Sequence, residues 1–364
     1  MTRIAAVAVR EARQFSRDHL TLAIAALLPI VLMTLYGTAL NSNIRNLRLM
    51  VEDLDNTPAS RRYIDAYAAT NKFILVPHAA GESAETALDR GYARGSLRIP
   101  PGFARDLANG RSPTVQLLVD GTETNAATVL RGMSAAIAQS FDAPRQSPPL
   151  SLRVRHWYNH GLSDRLFFGS GALGLVLILF PSLLGGLSAS REMELGTVTQ
   201  AYAAGVTATE WVVGKAIPHI ATGLIQFVVC FTLGRFIFGY SLPDHPAPFL
   251  ASVFVYICAA VFYGMLVGHA TGNQSAAIQA VQFGAFMFSL LLSGFITPLS
   301  NAPVAMQAIS NIVPARHFVE ITRDIMLRGG DWSTSGESIL KLSGLALFFF
   351  AANIGRMRRM RFDA

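Results

Sequence analysis

Residues 20–40 read LTLAIAALLPIVLMTLYGTAL, a run with no charged side chain, set between Arg17-Asp18 and a polar stretch that begins at Asn41. A helix needs about 20 apolar residues to cross about 30 Å of hydrocarbon, so this run predicts a membrane span. Five more runs with little or no charge follow at Leu166–Leu187, Val212–Phe238, Phe249–Val267, Ala276–Ile296 and Ile339–Ile354. Buried helices of soluble proteins seldom stay uncharged over such lengths, and six of them in one chain fit a bilayer rather than a soluble core. The composition agrees: of 364 residues 51% are hydrophobic and 15% charged, against about 25% charged in soluble domains, and the mean hydropathy is +0.38. The expected fold is an all-α membrane domain of six transmembrane helices. An extracytoplasmic α/β (or α+β) domain is inserted between the first helix and the second.

The formal net charge is +7. A basic excess can mark a nucleic-acid surface, but here its placement points to topology instead. Arg3, Arg10, Arg13 and Arg17 precede the first span, and Arg356, Arg358, Arg359 and Arg361 follow the last. Positive flanks lie on the cytoplasmic side, so both termini are expected there, as an even number of spans requires. The loop Gly239–Pro248 carries no Lys or Arg, as an outside loop should. On a helical wheel Arg3, Arg10, Arg13 and Arg17 oppose Ile4, Ala8, Ala12 and Phe15, the pattern of a helix lying in the inner interface. The long basic and apolar regions and a poor cleavage site at Gly37-Thr38-Ala39 favour a retained anchor over a cleaved signal peptide. Cys230 and Cys258, the two cysteines, both fall inside spans and read as packing residues. The inserted domain has none and is not disulfide-stapled.

Three regions organise the chain. Residues 1–40 hold the interfacial helix and first span, 41–165 the inserted domain, and 166–364 five further spans. Within 41–165, strands are expected at Leu47–Leu54, Phe73–Pro77, Ser96–Ile99 and Val115–Val119, the last stopped by an Asp120-Gly121 turn. Helices are expected at Ala59–Thr70, Ser83–Tyr92 (with Ser83 and Thr86 as cap residues), Gly102–Ala108 and Asn125–Ser140. Such alternation predicts a small layered domain. A Pro-rich linker, Asp142–Leu150, and a return strand, Leu152–Trp157, lead to the second span. Residues 189–211 form a charged cytoplasmic connector. Met193, Val198, Tyr202 and Val206 can share one face of an amphipathic helix and turn there. Residues 298–332 are too long and apolar for a simple loop, yet each apolar piece is too short to span. With Pro298, Pro303 and Pro314 they read as a broken helical hairpin re-entering the outer leaflet. On it, Glu320 and Arg323 stand three apart on one helical face; they either neutralise each other or line a substrate exit.

Catalytic and cofactor patterns fail on context. Gly169-Ser170-Gly171-Ala172-Leu173-Gly174 matches a dinucleotide fingerprint but opens a membrane span instead of following a strand, so it reads as small residues for close helix packing, as Gly185-Gly186 does. No Walker motif, zinc-protease motif or nucleophile elbow occurs. His156 and His160 are better read as interfacial residues than as a metal pair. Asn273-Gln274-Ser275 is a sequon on the cytoplasmic side. Arg235, near the outer end of the third span, can snorkel.

Several stretches resemble the membrane subunit of a bacterial ABC exporter of the type-2 permease class, in the subgroup with a large periplasmic insertion. They are Arg10-Glu11, Arg17-Asp18 and Leu27-Leu28-Pro29 at the start, and VEDLDNTPASRR (Val51–Arg62), IPPGFARDL (Ile99–Leu107), LVDGTETNAA (Leu118–Ala127) and Trp157-Tyr158-Asn159 in the insertion. In the second half they are SREMELGTVTQ (Ser190–Gln200) with Glu210, Gly214-Lys215 and Pro218, then SGFITPLSNAP (Ser293–Pro303) and NIVPARHFVEITR (Asn311–Arg323). The chain departs from the family's usual pattern at Met193, Leu195 and Gly205. The resemblance implies an inner-membrane permease that is not an enzyme and exports drugs or other small amphipathic compounds. ATP and Mg would be held on a separate ABC ATPase subunit, with no cofactor on this chain. It also implies a second permease copy or paralogue, a periplasmic membrane-fusion protein and membrane lipid as partners. Residues 189–211 would couple to the ATPase through Arg191, Glu192, Glu194, Gly196, Thr197 and Glu210. Pro298, Pro314, Arg316, Glu320 and Arg323 would belong to the hairpin and exit. An exporter of lipid or polysaccharide, and a membrane receptor or scaffold using the inserted domain, are the alternatives.

Overall fold

The computed structural model describes residues 2–39, 47–77, 84–120, 124–142, 164–296, 299 and 302–360. Ser83, Gly121, residues 143–150 of the linker, the expected return strand with His156 and the Trp157-Tyr158-Asn159 stretch, His160, Pro298 and Arg361 lie outside them. The chain divides into two compact units, Ser42–Arg155 and the remainder.

The larger unit opens with α1 (Arg3–Arg17) and α2 (His19–Ala39). All four arginines of α1 are exposed, and Ile4, Val7 and Phe15 are half-buried. The wheel reading needs two corrections. Ala12 is exposed, and Glu11 is buried at 6% exposure. The buried face therefore carries a charge, because α1 packs on a helix that supplies its partner. The chain bends by 75° between α1 and the apolar helix that follows. Asp18 sits at that bend and accepts the Thr21 N–H at 3.1 Å.

The smaller unit runs β1 (Leu47–Asp53), α3 (Pro58–Ala68), β2 (Phe73–Pro77), α4 (Ala84–Asp89), β3 (Gly95–Ile99), α5 (Phe103–Ala108), β4 (Gln116–Val119) and α6 (Thr124–Asp142). The strands form one sheet in the order β2-β1-β3-β4. β1 is parallel to β2 and to β3, and β4 is antiparallel to β3. The two parallel pairs need crossovers, which α3 and α4 provide. Thr86 falls inside α4 and does not cap it. Leu49, Leu97, Ile99, Tyr67 and Phe103 fill the core. Two stretches far apart in sequence meet here. Asp55 accepts the Gly102 N–H at 2.7 Å and the Ala104 N–H at 3.0 Å. It thus caps α5, whose own N-cap residue is a glycine with no side chain to offer. Thr57 and Ser60 form a capping box at α3.

The larger unit resumes with α7 (Asp164–Glu194), α8 (Val198–Ala203), α9 (Ala208–Ile237), α10 (Pro246–Thr271), α11 (Gln274–Val281), a π-helical stretch (Gln282–Met287), α12 (Phe288–Leu292), α13 (Val304–Ser310), α14 (Pro314–Arg328) and α15 (Trp332–Met360). Among the described residues five helical runs are long and apolar enough to cross a membrane: α7, α9, α10, α11 through α12, and α15. Counting the bent pair of α1 and α2 as one span gives a sixth. Large apolar side chains such as Leu27, Ile225, Phe236, Leu340 and Leu347 are exposed, which suits lipid and not water. α7 and α10 lie at the centre. A side chain on Gly264 would run into the Ser182 carbonyl oxygen, and one on Gly268 would come within 2.9 Å of the Ala189 Cβ. The two backbones are therefore in contact, as small residues allow between membrane helices. Gly169, Gly171 and Gly174 of the fingerprint-like run pack on Phe238, Phe295 and Val319, a packing role as expected. Cys230 and Cys258 are both free thiols. Asn273 of the sequon accepts the Ala276 N–H at 3.2 Å, so it caps α11.

Candidate functional site

The C-terminal end of α7 runs into the connector at Arg191–Thr197, and α1 and the start of α9 close around it. Four charged side chains meet there. Lys215 Nζ lies 2.6 Å from Glu11 Oε2 and 3.5 Å from Glu192 Oε1, and Arg10 reaches Glu192 Oε1 at 3.4 Å. The charges of these four groups cancel. Lys215 and Glu192 are 1% and 3% exposed, so both are removed from water, where an unpaired ion is costly.

Neutral donors complete the set. Ser188 Oγ donates to Glu11 Oε1 at 2.5 Å, and Lys215 Nζ donates to Ser188 Oγ at 2.8 Å. His219 Nε2 faces Glu11 Oε1 at 3.1 Å; a carboxylate only accepts, so the ring donates. Phe15 meets the edge of that imidazole at 5.7 Å, and Trp211 lies under the Lys215 ammonium at 5.3 Å. One further turn is Thr197 Oγ1, hydrogen-bonded to Glu192 Oε2. The cluster ties α1, α7, the connector and α9 into one body.

The expected coupling residues divide into two groups. Arg191 pairs with Asp18 at 3.5 Å, and Glu192 and Thr197 turn inward. Glu192 was expected on a charged, surface-lying element, but it is buried because Lys215 and Arg10 offer it charge partners inside. Glu194 is exposed and accepts from Gln274 Nε2 at 2.9 Å. Gly196 takes a left-handed φ of 64° with open space around it, which turns the chain tightly between α7 and α8. Glu210 caps α9 with Thr207 and stands 4.0 Å from Arg3. Met193, Val198, Tyr202 and Val206 all pack against the core, but not from one helix: Met193 lies at the end of α7, Val198 and Tyr202 belong to α8, and Val206 follows it. Outward lie Glu194, Leu195, Gly196, Thr199 and Gln200, and from the end of α8 onward also Ala203, Ala204, Gly205, Thr207 and Thr209; Leu195 is 66% exposed.

Sequence reading missed Glu11, Ser188 and His219 as a unit. One signal was available: Lys215 is a lysine four residues into an apolar run that starts at Val212, and such an ion demands a partner.

The hairpin residues gather at the other end. Pro314 is buried in the first turn of α14. Arg316 donates to Gln307 O at 2.8 Å and Ser310 Oγ at 2.6 Å, tying α14 to α13. Arg323 does not pair with Glu320. It donates to Gly294 O at 2.7 Å and Phe295 O at 3.0 Å, with its guanidinium 3.8 Å from the centre of the Phe167 ring. The chain turns just past α12 and leaves those carbonyls without helical donors, and a planar guanidinium serves two of them at once. Glu320 is exposed and, with Arg316, Arg323, Asp324 and Arg328, lines a cavity of about 530 Å³.

A family model described as "ABC-2 family transporter protein" matches residues 19–354. The "Probable multidrug ABC transporter permease YbhS" of Escherichia coli K12 is 28% identical over 352 residues, covering 90% of this chain and 89% of that protein. The "Probable multidrug ABC transporter permease YbhR" of the same strain is 27% identical, covering 88% of each. The "Linearmycin resistance permease protein LnrN" of Bacillus subtilis 168 is 21% identical, covering 91% of this chain and 92% of that protein.

Proposed function

The chain belongs to the ABC-2 transporter family, as a membrane permease component and not an enzyme, and from that premise we propose that it exports drugs or other small amphipathic compounds across the bacterial inner membrane. Its ATPase is a separate subunit of the ABC transporter. In this reading both termini are cytoplasmic, the unit Ser42–Arg155 is periplasmic, and a second permease copy or paralogue completes the membrane part. A periplasmic membrane-fusion protein receives the cargo. Relatives named for multidrug transport and for linearmycin resistance support small amphipathic cargo over lipid or polysaccharide.

The observation that carries the proposal is the division of residues 189–211 into an outward rim and a buried brace. Glu194, Leu195, Thr199 and Gln200 are free to seat on an ATPase. Behind them Glu192 is held by Lys215 and Arg10, and Thr197 is hydrogen-bonded to Glu192. In this reading the brace resists local bending under a load on the rim. The load passes into α7, which has 31 residues and so is about 46 Å long. Toward its other end α7 packs through Gly171 on Phe295 and through Gly174 on Val319, next to the carbonyls that Arg323 holds. Pushing the inner end displaces the hairpin, which would open and close the exit.

The test is reconstitution of the permease with its ATPase in vesicles. Leu195→Asp should lower drug-stimulated ATP hydrolysis and outward dye transport at least about tenfold, a loss of about 1.4 kcal/mol of coupling, with membrane insertion unchanged. Undiminished transport would count against the docking rim, and failure of any ATPase to co-purify would favour a receptor or scaffold.

A further inference from the structure

The smaller unit holds a groove that nothing in the coupling scheme uses. It lies along α6 and has a volume of about 430 Å³, within the range of about 300–1,000 Å³ typical of small-molecule sites. Its floor is aromatic. Tyr63 and Phe141 meet edge to face at 5.1 Å, and Phe103 lies 6.1 Å from Phe141. On the α6 side the wall is low, because Ala135 and Ala138 present only methyl groups and are exposed.

Two polar features give the groove a chemical preference. Ser134, 7% exposed, lines it with a buried hydroxyl that has no hydrogen-bond partner. Arg131 stands at its mouth, exposed, and among the described residues no carboxylate pairs with it or lines the groove. Buried hydroxyls are normally satisfied, and a guanidinium attracts anions, planar carboxylates above all.

We propose that this groove binds an aromatic organic anion of drug size, its ring system on Tyr63, Phe103 and Phe141 and its acidic group at Arg131. Offset or edge-to-face contact with these rings favours aromatic over aliphatic guests, and Arg131 selects against cations. The inference goes beyond the export reading and does not depend on it, since the groove lies wholly within the unit Ser42–Arg155.

The experiment uses the full chain in nanodiscs of zwitterionic lipid, with fluorescein as the probe and fluorescence anisotropy as the readout. Rhodamine 123, a tricyclic dye of similar shape but positive charge, is the control. Saturable binding of fluorescein is expected, at least about tenfold tighter than rhodamine 123. Ala138→Trp and Ala135→Trp should each fill the groove and abolish binding; both positions are exposed, so the fold tolerates them, and an unchanged circular dichroism spectrum checks this. Arg131→Gln should weaken fluorescein about tenfold and leave rhodamine 123 unchanged. The proposal is overturned if fluorescein shows no saturable binding below about 1 mM. It is equally overturned if the tryptophan variants bind as the parent does, or if both dyes bind alike.

Discussion

Lys215 Nζ lies 2.6 Å from Glu11 Oε2 although 204 residues separate the two in sequence. The contact joins α1 to the start of α9, and both carboxylates near that ammonium, Glu11 and Glu192, are buried. Removing the cation alone leaves two buried anions with Arg10 and His219 for company. A broken buried pair costs about 3–5 kcal/mol, whereas apolar replacement of a whole pair is often neutral. Lys215→Met should therefore lower the melting temperature of the purified protein strongly. The double change Glu11→Leu with Lys215→Met should recover much of that loss. Thermal unfolding followed by tryptophan fluorescence measures both, and a double variant no better than the single one would mean that the pair is not the brace.

Close approach of α7 and α10 makes a second expectation. Gly268 has the Gly186 carbonyl and Ala189 against it, so Gly268→Val must push two central helices apart. Overpacking costs about 1–3 kcal/mol, and the variant should unfold at lower temperature in detergent. Gly344→Val offers the comparison, since open space surrounds that position; it should unfold as the parent does.

Asp55 supplies a pH dependence. The Thr57 hydroxyl and the N–H groups of Ala104 and Gly102 hold its carboxyl below the ordinary 3.8. A carboxyl whose folded value is depressed stabilises the fold fully above its unfolded value and loses that contribution as pH falls through the folded one. The smaller unit of the parent should thus become sensitive to pepsin as pH drops below about 3.8. Asp55→Asn, which keeps the shape but not the charge, should be more sensitive at pH 4.5 and should change less between pH 4.5 and pH 2.5. Identical pepsin profiles for the two proteins would remove Asp55 from the capping of α5.

Hydropathy and charge placement carry the spans a long way: the apolar runs from Leu166 to Ile354 coincide with α7, α9, α10, α11 through α12, and α15. Period and turn chemistry place the four strands of the smaller unit within a residue or so of β1 to β4. The site was less legible because its members are chosen by tertiary neighbours. Glu11 follows Arg10 directly and reads as part of a polar face, yet the 75° bend after α1 lays that face on Lys215. Arg323 has Glu320 one turn away, but the free carbonyls of Gly294 and Phe295 fit a guanidinium better. Neither choice can be made from spacing alone. Lys215, alone among apolar neighbours, was the residue whose local setting already demanded an explanation.

Glu194, Leu195, Thr199 and Gln200 should meet an ATPase while the side chains behind them do not, which photo-crosslinking in the assembled membrane complex can establish. With p-benzoylphenylalanine at position Leu195, irradiation should yield an adduct of this chain with the ATPase subunit. With the same group at position Leu347, exposed on α15, it should yield none. An ATPase adduct from Leu347 and not from Leu195 would place the ATPase elsewhere and rule out docking at the rim.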